Sequence, residues 1–164
     1  MIYDLLSQIQ ISTGSRQYYV ALLAALAFPD IAGAIDSDNG RATGEKYAKW
    51  FDEYVAGKLN SFNAQYLRGK DCYKYRCLML HQGRVQDTTS RYSKTIFMVV
   101  DTNDIVAYCG VFVLDEGTTL CVDVEKFCEH IVEAGFDWLE KVEQTDRFIK
   151  NTAASASLFT LSFK

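Results

Sequence analysis

Residues 18–35, YYVALLAALAFPDIAGAI, constrain the fold more than any other stretch. Asp30 is their one charged residue. A helix that is apolar nearly all round must be enclosed on every side. A membrane span needs about 20 apolar residues, whereas here Pro29-Asp30 interrupts the run and no basic cluster flanks it. The expectation is a central helix from about Arg16 to Asp36, buried by a surrounding bundle and not by lipid. Pro29 removes a backbone donor and predicts a kink. Ala32, Gly33 and Ala34 predict a close approach by another helix.

Other segments can supply that bundle. The chain has 164 residues, 49% of them apolar and only one a proline, which suits one compact domain. Ile2, Leu5, Leu6 and Ile9 predict a short helix over 2–10. Thr43 is an N-cap for a helix reaching about Ala56, whose core stripe is Tyr47, Trp50, Phe51, Tyr54 and Val55. A fourth helix should open at Asp71 and run to about Gln82, with Gly83 ending it. TIFMVV (95–100) and IVAYCGVFVL (105–114), separated by DTND, predict a hairpin, and 118–122 a third short strand. The last long helix should span 123–142, with Phe127, Ile131, Trp138 and Val142 inward. Its acids Glu125, Glu129, Glu133 and Asp137 should face out. The tail, 146–164, should fray or add a strand at LFTLSF (158–163). The fold class is thus mainly all-α. It is a bundle of four to five helices forming one domain over 1–145, with a small β-hairpin insertion at about 95–122. Trp50 and Trp138 should both be buried.

Five cysteines, at 72, 77, 109, 121 and 128, make no disulfide framework, because the number is odd and several lie in apolar runs. A reducing cytoplasm follows. Cys121, Cys128 and His130 match no zinc spacing. DSDNG (36–40) fails as a calcium loop, because Gly40, Arg41 and Tyr47 stand where an oxygen ligand, Gly and Glu are needed. No phosphate-binding, dinucleotide, serine-hydrolase or zinc-protease motif is present. No metal or cofactor is expected.

The net charge is −4, yet its distribution is uneven. Residues 60–95 carry seven bases and two acids, while the remainder carries ten bases and nineteen acids. Inside this basic island lies the fourth helix, DCYKYRCLMLHQGR (71–84). Cys72, Tyr73, Tyr75, Cys77, Leu78, Met79 and Leu80 leave it almost no polar face, so it should be largely buried. Lys74, Arg76 and His81 nonetheless lie in it. A buried cation must be compensated, by acids such as Asp30 or Asp36 or by an external anion. At 100° per residue, Arg76 and His81 stand about 140° apart, so they share no face. A frayed helix end at His81, or a dimer axis that joins two such helices, would bring them to one cleft.

Arg76 and His81 form R-x-x-x-x-H, closely followed by Gly83. This pattern resembles the signature of the HEPN superfamily over about nine residues, in a chain with the matching all-α architecture. The stretch GAIDSDNGRATGEKYAKWFDEYV, followed by DCYKYRCLMLHQGR, also resembles a group of bacterial proteins of similar length, over about residues 17–142. The HEPN resemblance implies a homodimer with both motifs facing one cleft. It implies either a metal-independent RNase of the toxin–antitoxin or phage-defence type, or a non-catalytic interaction module. In the RNase, Arg76 and His81 are catalytic; Lys74, Gln82 and Arg84 touch RNA; Asp30, Asp36 and Cys77 support them. A cognate antitoxin protein is then a partner. Active members often carry Asn, Asp or His after the Arg, where this chain has Cys77. In the interaction module Arg76 and His81 are a structural pair.

The chemistry is self-consistent. RNA brings its own nucleophile, the 2′-OH. An imidazole titrates near neutrality and can move the protons. A guanidinium can hold two phosphate oxygens and stabilise the charge that develops on them.

Overall fold

The computed structural model describes residues 1–59, 66–84, 91–100, 109–114 and 117–153. Seven helices and three strands occur among them: α1 (Ile2–Gly14), α2 (Tyr18–Ile35), α3 (Gly44–Tyr54), α4 (Ala56–Leu59), α5 (Gly69–Gln82), β1 (Lys94–Met98), β2 (Cys109–Leu114), β3 (Gly117–Asp123), α6 (Val124–Val142) and α7 (Asp146–Thr152). The fold is mainly helical with one small sheet, in line with the periodicities. The turn DTND and the strand at LFTLSF lie outside the described residues.

α2 is central, as its composition requires. It alone among the described helices is long and apolar enough to cross a membrane. Ala21, Leu22, Ala25, Leu26, Phe28, Ala32 and Ile35 are buried in the protein's own core. α2 runs through Pro29 as one continuous helix. Small residues set its neighbours' distance. A Cβ on Gly33 would lie 3.1 Å from Lys46 Cβ on α3, and one on Gly135 of α6 only 2.6 Å from Leu6 Cδ2 on α1. Thr43 caps α3 by accepting from the Lys46 N–H, and Asp123 caps α6 by accepting from the Lys126 N–H. Such caps satisfy amides that a helix start leaves without partners. Phe28, Trp50 and Trp138 meet edge-to-face with centroids 5.4–6.4 Å apart. Trp50 is 3% exposed and Trp138 fully buried, as expected.

Three expectations are corrected. First, α5 opens at Gly69, two residues before Asp71. The Gly69 N–H donates to Asp52 Oδ1 of α3 at 2.7 Å, so a neighbouring helix supplies the cap. A Cβ at Gly69 would sit 2.2 Å from the Ala48 carbonyl oxygen, and only glycine permits that approach. Asp71 falls in the first turn.

Second, the sheet is not a β1–β2 hairpin. Its order is β1-β3-β2, with β3 antiparallel to β2 and parallel to β1. The tight antiparallel pair is therefore β2–β3, joined across residues 115–116. The strand expected at 118–122 is the centre of the sheet. Local turn signals cannot report this arrangement, because the β1–β3 pairing is non-local. Third, the segment after residue 145 begins with a formed helix, α7, which Thr145 caps by accepting from the Phe148 N–H. Asn151 Nδ2 donates to the carbonyls of Ile35 and Ser37 at 2.7 Å each. This ties α7 to the C-terminal end of α2, whose last carbonyls need partners.

Candidate functional site

α5 buries one stripe only: Gly69, Cys72, Tyr75 and Leu78. The expectation of a largely buried helix is thus corrected. Spacing of three turns each successive member about 60° around the helix, so the stripe winds from α3, where Gly69 meets Ala48, to the sheet, where Tyr75 meets Thr95. The Tyr75 hydroxyl accepts from Thr95 Oγ1 of β1 at 3.0 Å. Cys72 Sγ lies 3.2 Å from the Tyr47 hydroxyl, which itself donates to the Leu26 carbonyl. Burial pushes the Cys72 thiol up and holds Tyr75 up at about 12. Both stay neutral at physiological pH and serve as hydrogen-bonding core.

Arg76 faces α2. Its Nε lies 2.5 Å from Asp30 Oδ2, with the two side chains 24% and 14% exposed. The anticipated compensation of a half-buried cation is found, and Asp30 supplies it. The Asp30 carboxyl is held above its ordinary value because burial outweighs the attraction of Arg76. Burial works against the Arg76 charge, but Asp30 and Cys77 more than offset it, and its value is raised. Arg76 Nη1 lies 4.0 Å from Cys77 Sγ. Tyr73 bonds to Cys77, which raises the phenol's value. Asp30, Arg76, Cys77 and Tyr73 thus form one polar patch across α2 and α5. Residue type alone does not single out Tyr73 as part of it. Its spacing of four from Cys77, one helical turn, is the signal that carries this contact.

Asp36 lies elsewhere. It follows Asp30 by six residues, as the cap just past the end of α2, and accepts from Trp138 Nε1 at 2.9 Å, so it anchors α6 and not Arg76. The reason is its position at the end of α2, where α6 and α7 converge. His81, Gln82 and Arg84 are all exposed at the C-terminal end of α5, and Lys74 is half-buried. Gly83 ends the helix in the left-handed conformation, φ 62°, with its N–H donating to the Met79 carbonyl. Arg76 and His81 therefore stand in different surroundings, one anchored within the helix and one free in solvent at its end. Three cavities of 590, 470 and 370 Å³ are lined by neither. Among the described residues no cluster of His, Cys, Asp and Glu could hold a metal.

Comparison of the chain with protein families, with curated proteins and with solved structures found no match.

Proposed function

We propose that this is a HEPN-like, metal-independent endoribonuclease that cleaves RNA through its 2′-OH, with Arg76 and His81 as its catalytic residues. The observation that carries the reading is the exposed His81 on the same helix as an Arg76 already oriented by a carboxylate. Asp30 engages the Nε edge of the guanidinium. In this reading the Nη2 edge of the guanidinium donates to a phosphate. A fixed guanidinium loses less freedom on binding than a mobile one, and stabilises charge without reorganising. His81 removes the 2′-OH proton or protonates the leaving 5′-oxygen. Gln82 and Arg84 flank it on the RNA side, and Lys74 adds charge along the backbone track.

One protomer does not set Arg76 and His81 side by side. The reading therefore requires a homodimer in which two α5 helices border one cleft. It also places the protein in the cytoplasm, where its five free cysteines remain thiols, with an antitoxin as the expected regulator.

A second reading has its own support: Asp30 neutralises Arg76, as a purely structural pair would. The protein would then be a non-catalytic interaction module. The experiment that separates the two is incubation of the purified protein with single-stranded RNA and its deoxy counterpart in EDTA. The RNase reading predicts RNA products ending in a 2′,3′-cyclic phosphate or 3′-phosphate, with the deoxy strand intact. No cleavage of any RNA selects the module.

A further inference from the structure

Among the described residues one groove combines apolar walls with a single cation. Its volume is 470 Å³, and Leu22, Met79, Ile96, Phe97, Val99 and Val124 supply most of its lining. Leu22 and Val124, each 4% exposed, form the floor, while Val99 and Tyr19, 44% and 79% exposed, stand at the rim. A site for a small molecule has this volume and this balance: mostly apolar walls, with few polar groups to orient the ligand. The hydroxyls in the lining are already engaged, Tyr18 with Glu125 and Thr95 with Tyr75. Glu125 itself lines a different cavity. Arg16 is the one charged residue among those described in the lining. It is exposed, and among the described residues nothing pairs with its guanidinium. Its backbone is left-handed, φ 58°, alone among the described non-glycine residues. That conformation is costly for a residue with a Cβ, and glycine would relieve it. What Arg16 adds is a free charge beside an apolar groove.

We infer that this groove binds a single-chain carboxylate amphiphile of the fatty-acid type, with its acyl chain over the floor and its head group on Arg16. The two parts of the groove call for two parts of the ligand. An acyl chain removes from water the apolar surface of Ile96, Phe97 and Val99 together with its own. A carboxylate offers the guanidinium two oxygens, which two parallel N–H donors can hold. Burial of the chain supplies most of the affinity. The ion pair, at an exposed rim, contributes less and fixes the ligand's direction. A neutral apolar ligand would leave Arg16 unused, and a small polar anion would leave the apolar walls wet. An amphiphile satisfies both. The lining comes from α2, α5, β1 and the start of α6, so a bound chain would also tie the sheet to the bundle. This inference is independent of the RNase reading.

Calorimetric titration of the full chain with dodecanoate, below its micelle-forming concentration, tests it. Wild type should bind with saturation. Octanoate, four methylenes shorter, should bind at least about tenfold more weakly, since each buried methylene contributes up to about fourfold. Arg16→Gln should weaken dodecanoate by about fivefold, the upper range for an exposed ion pair, and leave uncharged dodecanol unchanged. Val99→Asp, which places a carboxylate at the rim, should weaken dodecanoate more than dodecanol. Both positions are exposed, and unliganded variants that melt with wild type separate loss of binding from loss of fold. No saturable binding of dodecanoate overturns the inference. So does equal affinity in wild type and Arg16→Gln, or binding that Val99→Asp leaves unchanged. Sedimentation with anionic phospholipid vesicles, without binding of dodecanoate, would assign the rim to a membrane surface and overturns it as well.

Discussion

α5 and α6 are both rich in apolar residues, but they are used differently. α6 buries Phe127, Cys128, Ile131, Val132, Gly135, Trp138 and Leu139 along one continuous side. Its outward charges are engaged on the surface: Lys58 reaches Glu133 and Asp137, and Lys126 reaches Glu129. α5 has a comparable share of large side chains, but buries only every third residue and leaves Leu80 40% exposed. Its second half projects Arg76 toward a carboxylate and His81 into solvent. A helix whose sequence pattern is clean does one job, which is packing. A helix whose pattern is broken divides its length between packing and another task. α2 serves both: Asp36 fixes α6 through Trp138, and Asp30 fixes α5 through Arg76.

The largest effect should come from the packing helix. Trp138→Ala removes a fully buried indole that meets Phe28 and Trp50 and donates to Asp36. Its expected cost is about 3–5 kcal/mol, read from chemical denaturation. A cost below about 1 kcal/mol would erase the contrast between the two helices.

Arg76→Ala should cost less, about 1–2 kcal/mol, because it strands the Asp30 carboxylate in a partly solvated site. The Asp30→Asn, Arg76→Ala double variant should recover part of that loss, since no buried charge is then left without its partner. Strict additivity of the two single variants would show that the pair does not couple α2 to α5.

The two halves of the comparison were not equally legible. α1, α3 and α6 follow from apolar spacing, with caps marking the starts of α3 and α6, and α2 follows from its long apolar run. α5 misled in two ways. Its start depends on Gly69 fitting beneath Ala48 and on Asp52 reaching across from α3, both tertiary facts. Its apolar side-chain types suggest more burial than the four positions that its packing against α3, α2 and the sheet encloses. The sequence leaves open the choice between Asp30 and Asp36 as partner of Arg76, since one lies in α2 and the other caps its end. Packing of α5 against α2 near Asp30 decides it. The strand order was hidden because the parallel β1–β3 pairing joins segments more than twenty residues apart.

A smaller effect concerns pH. Burial holds the Asp36 carboxyl above its ordinary value, against the opposing pull of Trp138 and Arg147. The folded protein therefore keeps this proton to higher pH than the unfolded chain. The resulting stabilisation is complete below the ordinary carboxylate range and is lost as pH rises through the raised folded value. Asp36→Asn retains an oxygen for Trp138 Nε1 and removes that titration. Melting temperatures across pH 3.5–7, roughly the carboxylate range and above, should show wild type losing ground to the variant as pH rises. Parallel curves would mean that Asp36 titrates as an ordinary carboxylate.

The most direct test of the division within α5 joins activity and stability in one variant. His81 is exposed and packs against nothing that the fold needs, so His81→Ala should leave the unfolding free energy within about 0.5 kcal/mol of wild type. The same substitution should lower RNA cleavage by about 10²–10⁴-fold, the usual worth of a proton-transfer group. Cleavage that persists in His81→Ala at the wild-type rate would contradict the account.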